Sequence, residues 1–268
     1  MRRLQTEIDA RGCATLTLNN PEQHNVFDDR LILEMTAVLQ QLGEDPQVRI
    51  VTLAAAGRSF SAGADLNWMR RVADYSPEEN LQDALALAKL LKTLNELPKP
   101  TIALVQGAAF GGGVGLVAAC DIAIAAVKAS FCLPEVKLGL IPALISPYVT
   151  AAIGQRASRR YFLTAERFSA QEALRLGLIH QLADEADLKT VGEQLCRQLL
   201  QNGPQAISEA KRLIFDISDR PDDQKLIEMT SARIAAIRAT DEGREGLNAF
   251  LAKRQPTWIK EEGCSTLY

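Results

Sequence analysis

Glycine stands at positions 107, 111, 112, 113 and 115 of LVQGAAFGGGVGL, Leu104 to Leu116, between a strand-like apolar run and a helix-like run of small residues. No other feature constrains the fold as much. A strand-to-helix turn with almost no side chains is a turn whose backbone comes close to something, because only glycine leaves that space open and accepts the dihedral angles of a tight turn. TIALVQG before it reads as a buried strand, the helix runs on through Ala119, and DIAIAA reads as the next strand. One strand–helix–strand unit is thus in view.

The same alternation extends in both directions. LQTEIDARGCATLTLNN reads as two strands about a turn at Arg11-Gly12, and VRIVTLAA as a buried strand. DDRLILEMTAVLQQLGED sets Leu31, Met35, Val38, Leu39 and Leu42 at helical spacing, with Asp28 as N-cap. GRSFSAGADL reads as a loop entering a helix. SPEENLQDALALAKLLKTLNEL reads as a long helix capped by Ser76, opened by Pro77 and stopped by Pro98 and Pro100. Strands alternating with helices predict an α/β body of parallel units. Past about residue 145 nearly every segment reads as helix. The expected division is a body over 1–200 and a helical region over 201–268, without sequence repeats, with the tail from Thr257 poorly ordered or laid on a neighbour.

Composition narrows the function classes. The chain has 268 residues, 47% of them hydrophobic, and a net charge of −3, which argues against nucleic acid as a partner. No apolar run reaches membrane-spanning length, and MRRLQTEIDARG lacks the apolar stretch of a secretory signal, so a cytoplasmic protein without membrane attachment is expected. Cys13, Cys120, Cys132, Cys196 and Cys264 form no CxxC pair and read as reduced thiols, four packed as small hydrophobes and one near the tail. Only His24 and His180 are present, and neither a GxSxG elbow nor an HExxH motif occurs, so a histidine triad and a metal centre are not expected.

Three readings of the glycine turn compete. Gly113 to Ala118 fits the GxGxxA pattern of dinucleotide sites, but the following strand lacks the acidic residue that pattern wants. Close packing of helix on sheet is the second. The third brings in SFSAGADL, Ser59 to Leu66, which also follows a strand and enters a helix. Helix N-termini carry free N–H groups. Two of them from separate loops can converge on one oxygen and hold its developing charge.

HNVFDD, SFSAGADL, KPTIALVQGAAFGGGVGLVAACDIAIA and FCLPEVKLGLIP resemble, in order and spacing, the motifs of the crotonase (enoyl-CoA hydratase/isomerase) superfamily, over roughly residues 5 to 255. The resemblance implies a ββα spiral core with a helical C-terminal trimerisation region, and a homotrimer or a hexamer made as a dimer of trimers. It implies coenzyme A thioester substrates, with no cofactor beyond the coenzyme A that the substrate carries. It places the oxyanion donors at the N–H groups of Ala64 and Gly112, each worth about 3–4 kcal/mol in comparable acyl chemistry. It sets Gly111 beside them, and lines coenzyme A with Val26, Ala62, Asp65 and Leu66. Phe250 and Lys253 match positions that reach coenzyme A from a neighbouring subunit.

Hydratases of this family use two glutamates. One corresponds to Glu135 in LPEVKLGLIP, and the place of the other is taken by Gly115. A lone Glu135 could carry a proton from one carbon to another, as a Δ3-to-Δ2 enoyl isomerase does, or supply the C2 proton of hydration while another group holds the water. Ser146 and Tyr148, in ALISPYV, are the candidate water holders, with helix capping and packing as their plainer roles. GAAFGGGVGLVAACD, EVKLGLIPALISPYV and RRYFLTAERFSA resemble bacterial methylglutaconyl-CoA or isohexenylglutaconyl-CoA hydratases, which favours hydration and leucine or terpene breakdown. Arg70 or Arg71 in NWMRRVADY could then meet a distal carboxylate, or be solvated helix residues. A non-catalytic acyl-CoA binder and an RNA-binding protein of this fold are the readings from other classes, opposed by the retained Glu135 and by the acidic charge.

Overall fold

The computed structural model describes residues 2–218 and 220–259. Strands β1 (Leu4–Ile8) and β2 (Cys13–Leu18) form the antiparallel hairpin expected about Arg11-Gly12. Helix α1 (Asp29–Glu44) is capped by Asp28, whose Oδ1 accepts the Leu31 N–H at 3.0 Å, and buries Leu31, Met35, Leu39 and Leu42. The chain then follows the same path three times. β3 (Ile50–Ala55) leads to β4 (Ser59–Ser61) and helices α2 (Leu66–Ala73) and α3 (Pro77–Asn95). β5 (Thr101–Val105) leads to β6 (Ala108–Phe110) and α4 (Gly112–Ala119). β7 (Ile122–Ala126) leads to β8 (Ser130–Cys132), a 3₁₀ helix at Glu135–Leu138, and α5 (Ser146–Thr164). Then come β9 (Phe168–Ser169), α6 (Ala170–Leu176), β10 (Gln181–Ala183), α7 (Leu188–Leu200), α8 (Pro204–Ile217), α9 (Gln224–Ala239) and α10 (Asp241–Leu251).

The first strand of each repeat joins a six-stranded sheet of order β1-β2-β3-β5-β7-β10, and the second joins a four-stranded sheet of order β4-β6-β8-β9. Beyond the hairpin the larger sheet is parallel. In the smaller sheet β4, β6 and β8 are parallel and β9 is antiparallel. This ββα repeat is the spiral expected of the fold, although no repeat is visible in the sequence. Leu53 and Val105 of one sheet, Phe60 and Phe131 of the other, and Met35, Leu91 and Leu116 of the helices share one buried core. A smaller core of Ile50, Ile102, Ile124 and Leu188 lies where α7 covers the larger sheet.

Three features differ from the sequence reading. The segment read as a loop at Ser59–Ser61 and the start of the glycine turn are strands, β4 and β6. Each has only three residues, too few for an alternating pattern to show. Helix α5, in a stretch whose sequence reads as helix throughout, is broken at Gly154, whose φ of 73° and ψ of 160° are not helical. Finally, Thr257 and Trp258 are tied down: the Thr257 N–H donates to Glu245 Oε1 at 2.9 Å and the Trp258 indole to the Gln201 carbonyl at 3.1 Å. Cys264 and the rest of the expected tail lie outside the described residues. No described helix is long and apolar enough to cross a membrane.

Candidate active site

The three positions that the sequence offers for catalysis follow three neighbouring strands. Ala64 comes after β4, Gly112 after β6 and Glu135 after β8, in the order in which those parallel strands lie side by side. Parallel strands deliver their carboxyl ends to one edge, so residues far apart in sequence meet there. The Gly111 N–H donates to the Cys132 carbonyl at 2.9 Å, joining the second loop to the third.

Each loop leaves an amide unused. Phe27 and Ala64 form an isolated parallel bridge in which the Phe27 N–H donates to the Gly63 carbonyl and the Asp65 N–H to the Phe27 carbonyl, both at 3.0 Å. The residue between those two bonds turns its own N–H away from its partner strand. Gly112 opens α4, and the Gly111 carbonyl accepts Val114 and Gly115 instead. Among the described residues, neither the Ala64 nor the Gly112 N–H donates to a protein acceptor. The Phe27 ring lies on Gly112, where a Cβ would stand 2.2 Å from its Cζ. Phe27 thus holds both loops, one by its backbone and one by its ring, and the sequence reading passed it over for Val26.

Asn25, 1% exposed, secures the same segment. Its side-chain amide donates to the Ala56 and Ser59 carbonyls at 2.8 and 2.7 Å, and its Oδ1 accepts the Asn20 N–H at 2.8 Å. Ser61 Oγ donates to the Asn25 carbonyl at 2.9 Å. A buried polar side chain with its hydrogen bonds met is a rigid peg rather than a burden.

Glu135 follows Pro134 at the start of the 3₁₀ helix. Its Oε1 is 3.2 Å from where a Cβ on Gly111 would sit, and its Oε2 is buried without a hydrogen-bond partner. Burial raises its carboxyl above the usual glutamate value, since little here solvates the charge. The missing second carboxylate has a steric reason. A Cβ at Gly115 would stand 2.2 Å from Ile145 Cγ2 and 2.9 Å from Ile145 Cβ, so Ile145 fills the space a side chain there would need. The chain therefore offers one buried carboxyl and two free amides at one edge, a set able to hold an oxyanion and move a proton.

The other expected positions divide. Val26 and Ala62 are half-buried beside the first loop, and the Ala62 N–H donates to the His24 carbonyl. Asp65 caps α2, its Oδ1 accepting the Asn67 and Trp68 N–H groups at 2.8 and 3.0 Å, while Leu66 is exposed. Ser146 donates to the Ala143 carbonyl at 2.7 Å, and Tyr148 is half-buried with its phenol pushed up by burial and then by Glu96. Phe250 is 81% exposed on α10, with Lys253 just beyond it, and α10 packs on α8 and α9. Arg71 is paired with Asp29 at 2.6 Å and Arg70 with Asn67 at 2.7 Å, so both guanidinium groups already have partners. Among the described residues no group of three His, Cys, Asp or Glu side chains converges to hold a metal.

A ββα spiral of this topology, with strand ends that gather such groups at one edge, sets the class of the protein. The chain belongs to the enoyl-CoA hydratase/isomerase family, whose model matches residues 9–261. It is an enzyme of the crotonase fold. An enoyl-CoA hydratase from Shewanella pealeana is 52% identical, with a TM-score of 0.93 and 96% of each chain covered. The 1,2-epoxyphenylacetyl-CoA isomerase of Escherichia coli is 36% identical over 92% of this chain and 94% of its own. The hydroxycinnamoyl-CoA hydratase-lyase of Pseudomonas fluorescens is 37% identical over 75% of this chain and 74% of its own.

Proposed function

We propose that this enzyme hydrates a short branched-chain 2-enoyl-CoA, methylglutaconyl-CoA or a related dicarboxylic thioester, to the 3-hydroxyacyl-CoA. The observation that carries the reading is half-buried Glu135, its Oε2 buried without a hydrogen-bond partner, at the same edge as two free amides. The N–H groups of Ala64 and Gly112 hold the thioester oxygen as negative charge develops on it. Water adds at C3, protonated Glu135 supplies the proton to C2, and the carboxylate left on Glu135 takes up the proton that the water gives up. Gly111, Ala62 and Val26 leave the backbone open along the coenzyme A path, with Asp65 and Leu66 at the start of α2. The other expected contacts come from Phe250 and Lys253 of a second copy. The helical region over 201–268 assembles the trimer or hexamer, which its exposed apolar side chains support. The reaction needs no cofactor beyond the coenzyme A of the substrate, and it suits a cytoplasmic enzyme.

Ile145 favours a second reading. It occupies the place of a second carboxylate, and a lone carboxyl is enough to move a proton between two carbons, as a Δ3-to-Δ2 isomerase requires. Turnover of crotonyl-CoA, 3-methylglutaconyl-CoA and a 3-enoyl-CoA in oxygen-18 water separates the two. Labelled 3-hydroxyacyl-CoA, with 3-methylglutaconyl-CoA preferred, supports hydration as proposed. Double-bond migration without label shows isomerisation instead, and no turnover of any of the three sinks both.

A further inference from the structure

On the far face of the larger sheet, away from the edge that carries Glu135, a cavity of about 510 Å³ lies between β2, β3, β5 and α7. Two cysteines, Cys13 and Cys196, line its wall. Cys13 and Thr15 point into it from β2, two residues apart as strand alternation requires, and Leu188, Gly192 and Cys196 come from one face of α7. Gly192 lets that helix lie close: a Cβ there would be 2.9 Å from Leu104 of β5. One turn on, the Cys196 sulfur sits 3.9 Å from Thr52 Oγ1, and Cys13 and Cys196 belong to the same buried cluster beneath α7. The cavity wall includes the exposed Asp9 and Lys189, so a small reagent can enter from solvent.

The two thiols differ in their surroundings. The neighbouring Cys13 thiol and Thr52 hydroxyl favour the charged form of Cys196 and hold it below the usual thiol value, against the effect of burial. Cys13 is pushed up by the same pairing with Cys196 and by burial. A thiolate beside a protonated thiol is the arrangement in which one sulfur is oxidised and the other resolves it. None of the residues given to catalysis takes part.

We propose that Cys13 and Cys196 are a modification site, closing to a reversible disulfide that ties β2 to α7 when the enzyme meets a hydroperoxide. The Cys196 thiolate attacks the peroxide, the O–O bond breaks, and sulfenic acid forms with release of hydroxide. The Cys13 sulfur then attacks that sulfur, the S–OH bond breaks, and water leaves with the Cys13 proton. Two thiols are oxidised by two electrons in all, and one hydrogen peroxide becomes two waters. A dithiol reductant reverses the link by exchange.

The test uses the full chain with Cys264→Ser, which removes the one cysteine outside the described residues. The reduced protein is treated with hydrogen peroxide, alkylated under denaturing conditions and mapped by peptide mass. A peptide joining Cys13 to Cys196 in most chains, lost on dithiothreitol treatment, is the expected result, together with a higher melting temperature for the oxidised form. In Cys13→Ser the link disappears and a sulfenic-acid trap labels Cys196. Full alkylation of both cysteines in the parent after peroxide, or sulfinate on Cys196 without the link, overturns the proposal, whether or not Cys13→Ser folds.

Discussion

Glu135 is the carboxyl this edge offers for proton transfer, and its protonation state separates the two chemistries. Hydration uses the acid form, so its rate is lost as pH rises through the raised carboxyl value; isomerisation starts from the carboxylate, so its rate is lost as pH falls through the same value. A pH profile of kcat with a saturating substrate reads which limb belongs to Glu135. Glu135→Gln removes the transferable proton while keeping the shape, and turnover is expected to fall by roughly 10²–10⁴-fold with acyl-CoA affinity little changed. Stability answers with its own sign. The folded value lies above the unfolded one, so between them the native state holds more protons and its stability declines as pH rises through that window. Melting curves across this range should show the decline in the parent and its absence in Glu135→Gln. A parent curve no steeper than that of the variant would show that burial does not strain this carboxyl.

The turn into α4 binds two facts that the sequence shows separately. Gly112 is small because the Phe27 ring lies on it, and Gly115 because Ile145 does. Gly115→Ala is therefore expected to cost about 1–3 kcal/mol by overpacking. Ile145→Ala opens a cavity, and its cost when made alone should be about 2–5 kcal/mol. Together the two changes relieve each other, and denaturant titrations of the cycle should give a double variant well short of the sum, since residues in contact do not add. Additive losses would place Ile145 elsewhere. Gly112→Ala pushes on Phe27 instead and moves a free amide, so kcat should fall with it, whereas Phe27→Ala should mainly cost stability, about 3–5 kcal/mol.

These contacts also mark what the sequence could and could not show. The capped helices were legible because a cap and a period are local: Asp28 and Ser76 cap α1 and α3 as their spacing predicts. Glu135 and the two amide loops were legible through the order of four motifs. Strands β4, β6 and β8 were not, having three residues apiece and no room for a period. Phe27 and Ile145 could not be assigned either, because each acts on a glycine in a distant part of the chain and nothing local announces the contact. Absence of a glutamate at 115 was plain in the sequence; the side chain that fills its place was not.

The C-terminal helices bear on whether one chain is the working unit. α8 has an amphipathic sequence yet buries no residue, and Ile214, Phe215, Leu247, Phe250 and Leu251 are all exposed on α8 and α10. Exposed apolar side chains on neighbouring helices are the kind of surface that serves as an interface. The ion pair of Lys211 with Asp121, at 2.8 Å, holds α8 to the body just before β7, so this surface is presented from a fixed base rather than from a loose tail. If a second copy covers it, charge placed there should cost assembly and leave the fold intact. Phe250→Asp with Leu251→Asp is expected to shift the protein to monomers in sedimentation velocity, with the melting transition still cooperative. If Phe250 also reaches the coenzyme A of a neighbour, KM for the acyl-CoA should rise in the same variant. A parent that sediments as a monomer would remove both the assembly and the shared site.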